Sequence, residues 1–305
     1  MLYSFSSSLL SGSNLSLEKR LNVKGPVRSV AIDPQEQYIA SGSYGTIRLW
    51  RIADLNAEPQ ILPAHDDSVS ALVFSPKQPL LASGSGDNTV KLWQPEQGIR
   101  ILTLTGHTAA INALAFDRQG NWLASGSDDK TVRVWQAGTS NLRYTLQGHT
   151  GAVRSLVFSQ DSRMLITAGD DTSIIFWNLD LGVRLRTLQG HTTAITALAI
   201  SPDGRVLASS DMDNNIKLWN LETGAAIATF ATGQSRLNAL AFAADNAILY
   251  AGGETFQIWD WAEGRLLNIV PGHRQPITGI TVGAGAQKFL ATSSLDTTVK
   301  VWRSP

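Results

Sequence analysis

The chain has 305 residues, of which 43% are hydrophobic, so it can bury a large core and is neither disordered nor fibrous. Its 25 basic and 25 acidic residues cancel. A protein that grips phosphate backbones needs a basic excess, so we do not expect nucleic acid as a partner. Cysteine is absent, which excludes disulfides, thiolate nucleophiles and cysteine-ligated metals.

The N-terminal segment, MLYSFSSSLLSGSNLS, has no basic leader and no uninterrupted apolar run of the kind found in signal peptides. Nothing downstream approaches the roughly 18 consecutive apolar residues that indicate a membrane span. We therefore expect a cytoplasmic protein without a membrane span. We interpret residues 1–15 as a loose segment, and the serine-rich residues 6–16 as a solvated tail rather than a modification site.

Tryptophan recurs at positions 50, 93, 135, 177, 219, 259 and 302, and each closes a similar stretch such as LASGSDDKTVRVW. Five of the seven units also carry a histidine about 28 residues before the tryptophan, and these are the only histidines of the chain. Self-similarity at such a period is typical of repeat proteins.

Each unit predicts four short strands, in one case at residues 111–116, 122–127, 131–135 and 142–146, bounded by Gly, Asp, Asn or Ser. The first strand of a unit is nearly all apolar, as in residues 70–74. Strands of this kind belong to sheets that are covered on both faces. Seven four-stranded sheets arranged radially satisfy this requirement.

The period, the Gly-His pairs at 106–107, 148–149, 190–191 and 272–273, and the terminal tryptophans resemble WD repeats. The resemblance runs from about residue 16 to the end, although the Trp-Asp dipeptide itself occurs only at Trp259 and Asp260. It implies an all-β fold, a seven-bladed β-propeller of four-stranded antiparallel blades. The repeats end near Trp50, Trp93, Trp135, Trp177, Trp219, Trp259 and Trp302.

The last unit stops after its third strand, and residues 17–23 precede the first unit as an outer strand precedes its successor elsewhere. We therefore expect residues 16–23 to form a closing strand that completes the last blade. On this interpretation residues 1–305 form a single domain.

By resemblance, the histidine, a hydroxyl, an aspartate and the tryptophan of five units form buried hydrogen-bond networks. A hydrolase needs one Ser-His-Asp set with an oxyanion hole, whereas five copies at a fixed period indicate a structural device. The first unit lacks the histidine and aspartate, and the sixth has Gln234 and Ala251 in place of the histidine and serine. The predicted sets are His65, Ser83, Asp87 and Trp93; His107, Ser125, Asp129 and Trp135; His149, Thr167, Asp171 and Trp177; His191, Ser209, Asp213 and Trp219; His273, Thr292, Asp296 and Trp302.

The resemblance also implies that loops on one face of the ring contact partners. Arginine and aromatic residues are common hot spots, which favours Arg28, Tyr44, Arg154 and Arg236, unless several arginines instead pair with acids across the ring. Trp261 is a further candidate for partner binding and could equally be a half-buried packing residue. Trp122 is most simply interpreted as a core residue. The candidate partner-binding residues are Arg28, Tyr44, Asn112, Asp128, Arg154, Asp170, Met212, Arg236, Asn238 and Leu295.

These features favour a non-catalytic, monomeric scaffold that binds a peptide segment or assembles a complex. With every histidine assigned to a network and no cysteine present, we expect no metal and no cofactor. The glycine-rich strings SGSGD and GSDD match no phosphate-binding loop. The alternative is a hydrolase that uses Asp128, Asp170 and Glu254 at the channel mouth, although paired carboxylates need environments that separate their pKa values.

Overall fold

The computed structural model describes residues 15–233, 236–285 and 289–303. Within these ranges the chain forms antiparallel strands and one short 3-10 turn, Ile52–Asp54. The sheets stand around a central axis, which confirms the all-β propeller. Residues 1–14, and with them most of the serine-rich segment, lie outside the described residues, as does Gln234.

Strands β1 to β8 begin with the N-terminal strand and continue through the first two units. They are β1 (Ser16–Asn22), β2 (Ser29–Ile32), β3 (Tyr38–Gly42), β4 (Tyr44–Arg51), β5 (Gln60–Phe74), β6 (Leu81–Ser85), β7 (Val90–Gln94) and β8 (Ile99–Leu104). Strands β2 to β8 form one seven-stranded sheet in sequence order.

Five further sheets have four strands each. Three of them are β9 (Ile111–Phe116), β10 (Trp122–Ser127), β11 (Thr131–Gln136) and β12 (Leu142–Gln147); β13 (Val153–Phe158), β14 (Met164–Gly169), β15 (Ile174–Asn178) and β16 (Val183–Leu188); β17 (Ile195–Ile200), β18 (Val206–Asp211), β19 (Asn215–Asn220) and β20 (Ala226–Ala231). The fourth is β21 (Ala239–Phe242), β22 (Ile248–Gly252), β23 (Phe256–Asp260) and β24 (Arg265–Val270). The fifth joins β25 (Ile277–Val282), β26 (Phe289–Ser294) and β27 (Thr298–Arg303) to β1.

The prediction of seven four-stranded blades is therefore wrong: the described residues form five four-stranded blades, and the first two units share one seven-stranded sheet. The cause is β5, a continuous strand of 15 residues that pairs with β4 through its first part and with β6 through its second. In four other units a Gly-His pair lies between these parts; Gly106 and Gly190 adopt positive φ of 134° and 153°, whereas Gly148 and Gly272 do not. Here Ala64 precedes His65, and the strand runs on through both residues.

The N-terminal strand closes the ring, as expected from the sequence. Strand β1 pairs antiparallel with β27, from Ser16 opposite Arg303 to Asn22 opposite Thr298. At the opposite edge of the same sheet, the Thr278 hydroxyl on β25 donates to the Val27 carbonyl at 2.8 Å, which joins the last sheet to the first. Backbone and side-chain hydrogen bonds thus hold the two ends of the ring together.

The hydrophobic core lies between neighbouring sheets rather than at the ring centre. In one cluster, Val132 and Val134 of one sheet pack with Val153, Leu165 and Trp177 of the next. Trp122 is half-buried against the same cluster, in agreement with its expected core role. Because each sheet is covered on both faces, its inner strands read as nearly continuous apolar runs.

Candidate interaction face

A buried chain of hydrogen bonds runs through five units, as the unit of Trp135 illustrates. The Trp135 indole donates to Ser125 Oγ at 3.1 Å, and this hydroxyl lies 2.8 Å from His107 Nε2. His107 Nδ1 lies 2.7 Å from Asp129 Oδ2. A neutral imidazole with its proton on Nδ1 satisfies every member, because Nε2 then accepts from the serine hydroxyl.

Three more of the predicted sets have the same geometry. The histidine Nδ1 to carboxylate distances are 2.7 Å for His65–Asp87, 2.8 Å for His149–Asp171 and 3.1 Å for His273–Asp296. In each of these sets the tryptophan indole donates at 2.9 Å to the hydroxyl that also contacts the histidine: Trp93 to Ser83, Trp177 to Thr167 and Trp302 to Thr292. These side chains therefore form their hydrogen bonds with one another inside the ring.

The fifth unit corrects one predicted network member. His191 Nδ1 lies 2.7 Å from Asp211 Oδ2, not from Asp213, while Ser209 and Trp219 take their expected places. Asp211 ends β18 with its side chain 1% exposed, whereas Asp213 is exposed in the following turn. The sequence here is SSDMDNN. Its first aspartate already lies inside the sheet, where the other units have Ser or Gly, and it occupies the partner position.

Burial and hydrogen bonding set the charge state of the network of His107 and Asp129. It lowers the pKa of His107 below its usual value, against the opposing effect of the Asp129 hydrogen bond, so the imidazole is neutral near pH 7. Burial alone would raise the pKa of Asp129, but hydrogen bonds from Thr131 and His107 outweigh this and bring it to about 2. The network is thus a neutral imidazole beside a carboxylate that stays ionised.

The sixth unit replaces the missing network with a residue that sequence reasoning missed. Gln257 on β23 is 3% exposed; its Oε1 accepts from the Trp259 indole at 3.0 Å and its Nε2 donates to the Thr232 carbonyl at 3.0 Å. Its position two residues before the tryptophan is a possible signal, because an amide can both accept and donate. In the first unit, a buried Arg48 guanidinium donates to Ser43 and Thr46.

The loops that lead into the inner strands and the turns between second and third strands, such as residues 105–110 and 127–130, lie on one side of the ring, here called the top face. Tyr44 and Met212 are 71% and 46% exposed on it. Arg28 and Arg236 are exposed, and Leu295 is half-buried. The top face thus presents separate apolar and cationic side chains to solvent.

Four of the predicted residues meet at the ring axis. Arg28, Asn112, Arg154 and Asn238 line one central cavity of about 210 Å³. Asn112 donates to the Val153 carbonyl at 3.0 Å and Asn238 to the Ile277 carbonyl at 2.8 Å, so both amides tie one inner strand to the next. Part of their hydrogen-bonding capacity is therefore used within the ring.

An ion cluster occupies one side of the top face. Arg154 Nε and Nη2 donate to the two oxygens of Asp170 at 2.8 and 2.6 Å, and its Nη1 donates to Asp128 at 2.9 Å. Asn112 adds a hydrogen bond to Asp128 at 2.8 Å. The pKa of Arg154 is raised, chiefly by the Asp170 hydrogen bond. The alternative that an arginine pairs with acids across the ring thus applies to Arg154, whereas Arg28 and Arg236 form no ion pair with any described residue.

The same cluster bears on the hydrolase alternative. Asp128 and Asp170 both bind the one guanidinium of Arg154. Glu254 lines a different cavity, beside β24 and β25. General acid–base catalysis needs two carboxyl groups in contrasting environments. The three acids named for the hydrolase do not form such a pair, because two of them share one arginine and the third lies in another cavity.

The opposite face has a larger depression that sequence reasoning missed. Its volume is about 690 Å³, and its apolar lining includes Val73, Phe116, Val157 and Phe158 near the ends of inner strands. Trp261 also lies toward this side, where its indole donates to the Asn246 carbonyl at 3.0 Å and its ring meets Phe242 edge-on. Trp261 is half-buried, as the packing interpretation expects.

Comparison with known proteins identifies the repeat. The family model of the WD domain, G-beta repeat, matches residues 16–51, 57–94, 98–136, 140–178, 182–220 and 264–303. These ranges cover more than half of the chain and leave out residues 221–263, which contain the unit with Gln257 in place of the usual network.

Several known proteins are similar to part of the chain. Striatin-4 of Mus musculus is 37% identical over 83 residues, which are 24% of this chain and 11% of that protein. Ribosome biogenesis protein BOP1 of Rattus norvegicus is 38% identical over 65 residues, 21% of this chain and 9% of that protein. Protein HIR1 of Eremothecium gossypii is 32% identical over 90 residues, 24% of this chain and 11% of that protein. The aligned segments span about a tenth of each relative.

No helix in residues 15–233, 236–285 and 289–303 has the length and apolarity needed to cross a bilayer. Within the same part of the chain, no group of three or more His, Asp or Glu side chains is arranged to hold a metal ion.

Proposed function

Because the chain belongs to the WD-domain, G-beta repeat family, we propose that it is a non-catalytic scaffold that binds a protein partner through its top face. Members of this family serve as protein-interaction scaffolds, and the relatives named above fit that role. Their names refer to the striatins and to ribosome biogenesis. Whether this chain assembles with comparable partners is part of the proposal, since the aligned segments cover only a fraction of each relative.

The observation that carries the proposal is that the histidines are hydrogen-bonded inside the ring, whereas large apolar side chains are exposed on the top face. The five imidazoles are engaged in buried networks, with ring nitrogens 2.7 to 3.2 Å from hydroxyl and carboxylate partners. On the top face, Tyr44 and Met212 leave 71% and 46% of their surface exposed. Exposed aromatic, Met and Arg side chains on rigid loops are the residue types that interfaces enrich.

The rigid ring supports this proposal energetically. Binding costs less when the contact surface is already ordered, because fewer loops and side chains lose freedom on association. Here Asn112 and Asn238 fasten the inner strands to their neighbours, and Arg154 is fixed by two carboxylates. The partner's class, a protein or peptide, the monomeric state and the cytoplasmic location stay predictions from the sequence.

The test is affinity capture with quantitative mass spectrometry on three matched baits. The first is the wild-type chain, and the second carries Tyr44→Ala, Met212→Ala and Arg236→Ala on the top face. The third carries Lys77→Ala, Arg163→Ala and Arg205→Ala, three exposed cations in turns of the opposite face. All three should melt at the same temperature.

We expect proteins that co-purify with the wild-type bait to remain with the opposite-face variant and to fall at least about tenfold with the top-face variant, which corresponds to about 1.4 kcal/mol. Equal recovery on the wild-type and top-face baits contradicts the proposal. Loss on the opposite-face bait alone moves the site to the apolar depression. Turnover in a hydrolase screen that Asp170→Asn abolishes would contradict the non-catalytic role.

A further inference from the structure

A cavity opens at the top of the ring between β24 and β25. It measures about 300 Å³ and is lined by Phe256, Ile269, Val270, Pro271 and Ile277, together with Glu254, Thr255, Gly272 and His273. We call it the junction cavity. Its volume lies at the lower end of the roughly 300–1,000 Å³ range of ligand sites, which is room for one large side chain rather than a whole cofactor.

The sequence explains why the cavity exists at this junction. The stretch from Leu249 to Trp259 has two residues fewer than the stretch from Leu123 to Trp135 in the third unit. The shortened turn is tied to the next unit at Gly253, because the Ile277 N–H donates to the Gly253 carbonyl at 2.7 Å. Ile269, which lies opposite Gln257 on the outer strand β24, is 47% exposed.

Cationic side chains adjoin the lining of the junction cavity. Arg274, which follows the lining residue His273 in the sequence, is exposed, and Lys300 donates a hydrogen bond to the carbonyl of Gly272. Burial lowers the pKa of Lys300, and the nearby charges of Arg20 and Arg274 lower it further against Asp296, so these cations share one field. Arg236 precedes Asn238, whose amide reaches the Ile277 carbonyl of the lining.

Among the described residues, Arg274 and Arg236 form no ion pair, in contrast to Arg154, which two aspartates neutralise. Glu254 is the one acidic residue in the lining. The arginines can therefore offer charge-assisted hydrogen bonds to carboxylates of an incoming chain. His273 is unavailable, because its side chain is 1% exposed and is held by Asp296 and Thr292.

We propose that the junction cavity, with Arg236 and Arg274 beside it, binds an acidic peptide segment that inserts one large apolar side chain. This inference rests on the proposed function and adds the chemistry of the partner. An apolar anchor buried in a pocket with flanking charged contacts is the usual arrangement of binding energy at interfaces. The partner's acids would complement the cations, which also steer its approach.

The probe is a random library of linear peptides displayed on phage and selected on the full chain. We expect the selected sequences to share one Leu, Ile, Met, Phe or Trp with at least two Asp or Glu within a few positions. Basic or purely polar consensus sequences overturn the inference, and so does a library that yields no binder.

Variants then locate the site. Ile269→Trp fills the junction cavity and Arg236→Glu with Arg274→Glu reverses its charge, and each should weaken the selected peptides at least about tenfold in fluorescence anisotropy. Ile269→Asp, which repels acids without adding bulk, should have the same effect. The matched controls are Ile227→Trp, a 52% exposed isoleucine on β20, and Arg205→Glu on the opposite face, and both should bind normally.

The outcomes separate the two proposals. If the selected peptides bind every junction-cavity variant with wild-type affinity but bind Tyr44→Ala and Met212→Ala more weakly, the junction-cavity proposal is refuted and the top-face proposal stands. If their affinity is unchanged in all of these top-face variants, both proposals are contradicted. Melting temperatures within about 2 °C of wild type show that a lost signal is not lost folding.

Discussion

The two aspartates of the fifth unit allow a sharp test of the buried networks. Asp211 accepts a hydrogen bond from His191 Nδ1 at 2.7 Å and from the Asn215 N–H at 2.9 Å, with its side chain 1% exposed. Asp213, two residues later, is exposed. Replacing each in turn by alanine therefore compares a buried and a solvated carboxylate within one turn of the chain.

The structure sets the size of the expected effect. Removing Asp211 leaves the His191 N–H without its acceptor, at about 1–3 kcal/mol, and loses hydrogen bonds to a charged group, at about 1.5–3 kcal/mol. These costs overlap, so we expect Asp211→Ala to lower the free energy of unfolding by about 3 kcal/mol. A domain of this size loses about 2 °C of melting temperature per kcal/mol, which gives a decrease of about 6 °C.

The assay is differential scanning calorimetry at pH 7. Asp213→Ala should stay within about 0.5 kcal/mol of wild type, as surface substitutions do, and Asp211→Asn, which keeps a neutral acceptor, should fall between the two. Equal decreases for Asp211→Ala and Asp213→Ala, or a larger one for Asp213→Ala, would refute the network assigned to this unit.

Three further predictions concern stability. Gln257→Ala should lower the melting temperature by several degrees because it leaves the buried Trp259 indole without its acceptor; an unchanged value would remove Gln257 from its structural role. Deleting residues 1–23 removes β1 and exposes the edge of β27, so size-exclusion chromatography should detect oligomers or calorimetry a lower melting temperature, and a monomer with wild-type stability would argue against closure. The free energy of unfolding should fall in two steps on acidification. Burial lowers the pKa of four histidines, so the unfolded chain takes up protons before the folded chain does and stability falls below about pH 6.5; these are His65, His107, His191 and His273. Asp87, Asp129 and Asp296 have pKa values of about 2 in the folded chain, so their contribution to stability is lost between about pH 4 and 2. A flat profile between pH 7 and 5 would contradict the neutral buried imidazoles.

Periodicity accounts for the part of the fold that could be predicted. A repeated tryptophan, a histidine at constant distance and apolar inner strands determine where the strands lie and which side chains share a network, as in the set of His107, Ser125, Asp129 and Trp135. The N-terminal closure was also readable, because residues 17–23 match the outer strands of later units.

Local departures from the repeat could not be predicted in the same way. The shared sheet depends on β5 running without a break through Ala64 and His65, and the choice of Asp211 over Asp213 depends on which aspartate lies inside the sheet. Alignment by period assigns positions but does not measure such local geometry. Gln257 was missed because the repeat pattern has no amide at its position.

The candidate face was harder still, because its contacts join residues that are distant in the sequence. Arg154 meets Asp170 and Asp128, 16 and 26 residues away, and the sequence alone left open whether its charge was free or paired. The junction cavity lies beside a turn that is two residues shorter than that of the third unit, and an absence of residues gives no motif to recognise.

The most direct measurement is hydrogen–deuterium exchange of the full chain with and without a protein captured by the wild-type bait. Binding through the top face predicts slower exchange in residues 24–28, 43–45, 211–214, 253–255 and 271–277, with unchanged exchange in the turns at residues 75–79, 117–121 and 201–205 of the opposite face. Protection confined to those opposite turns would contradict the central claim.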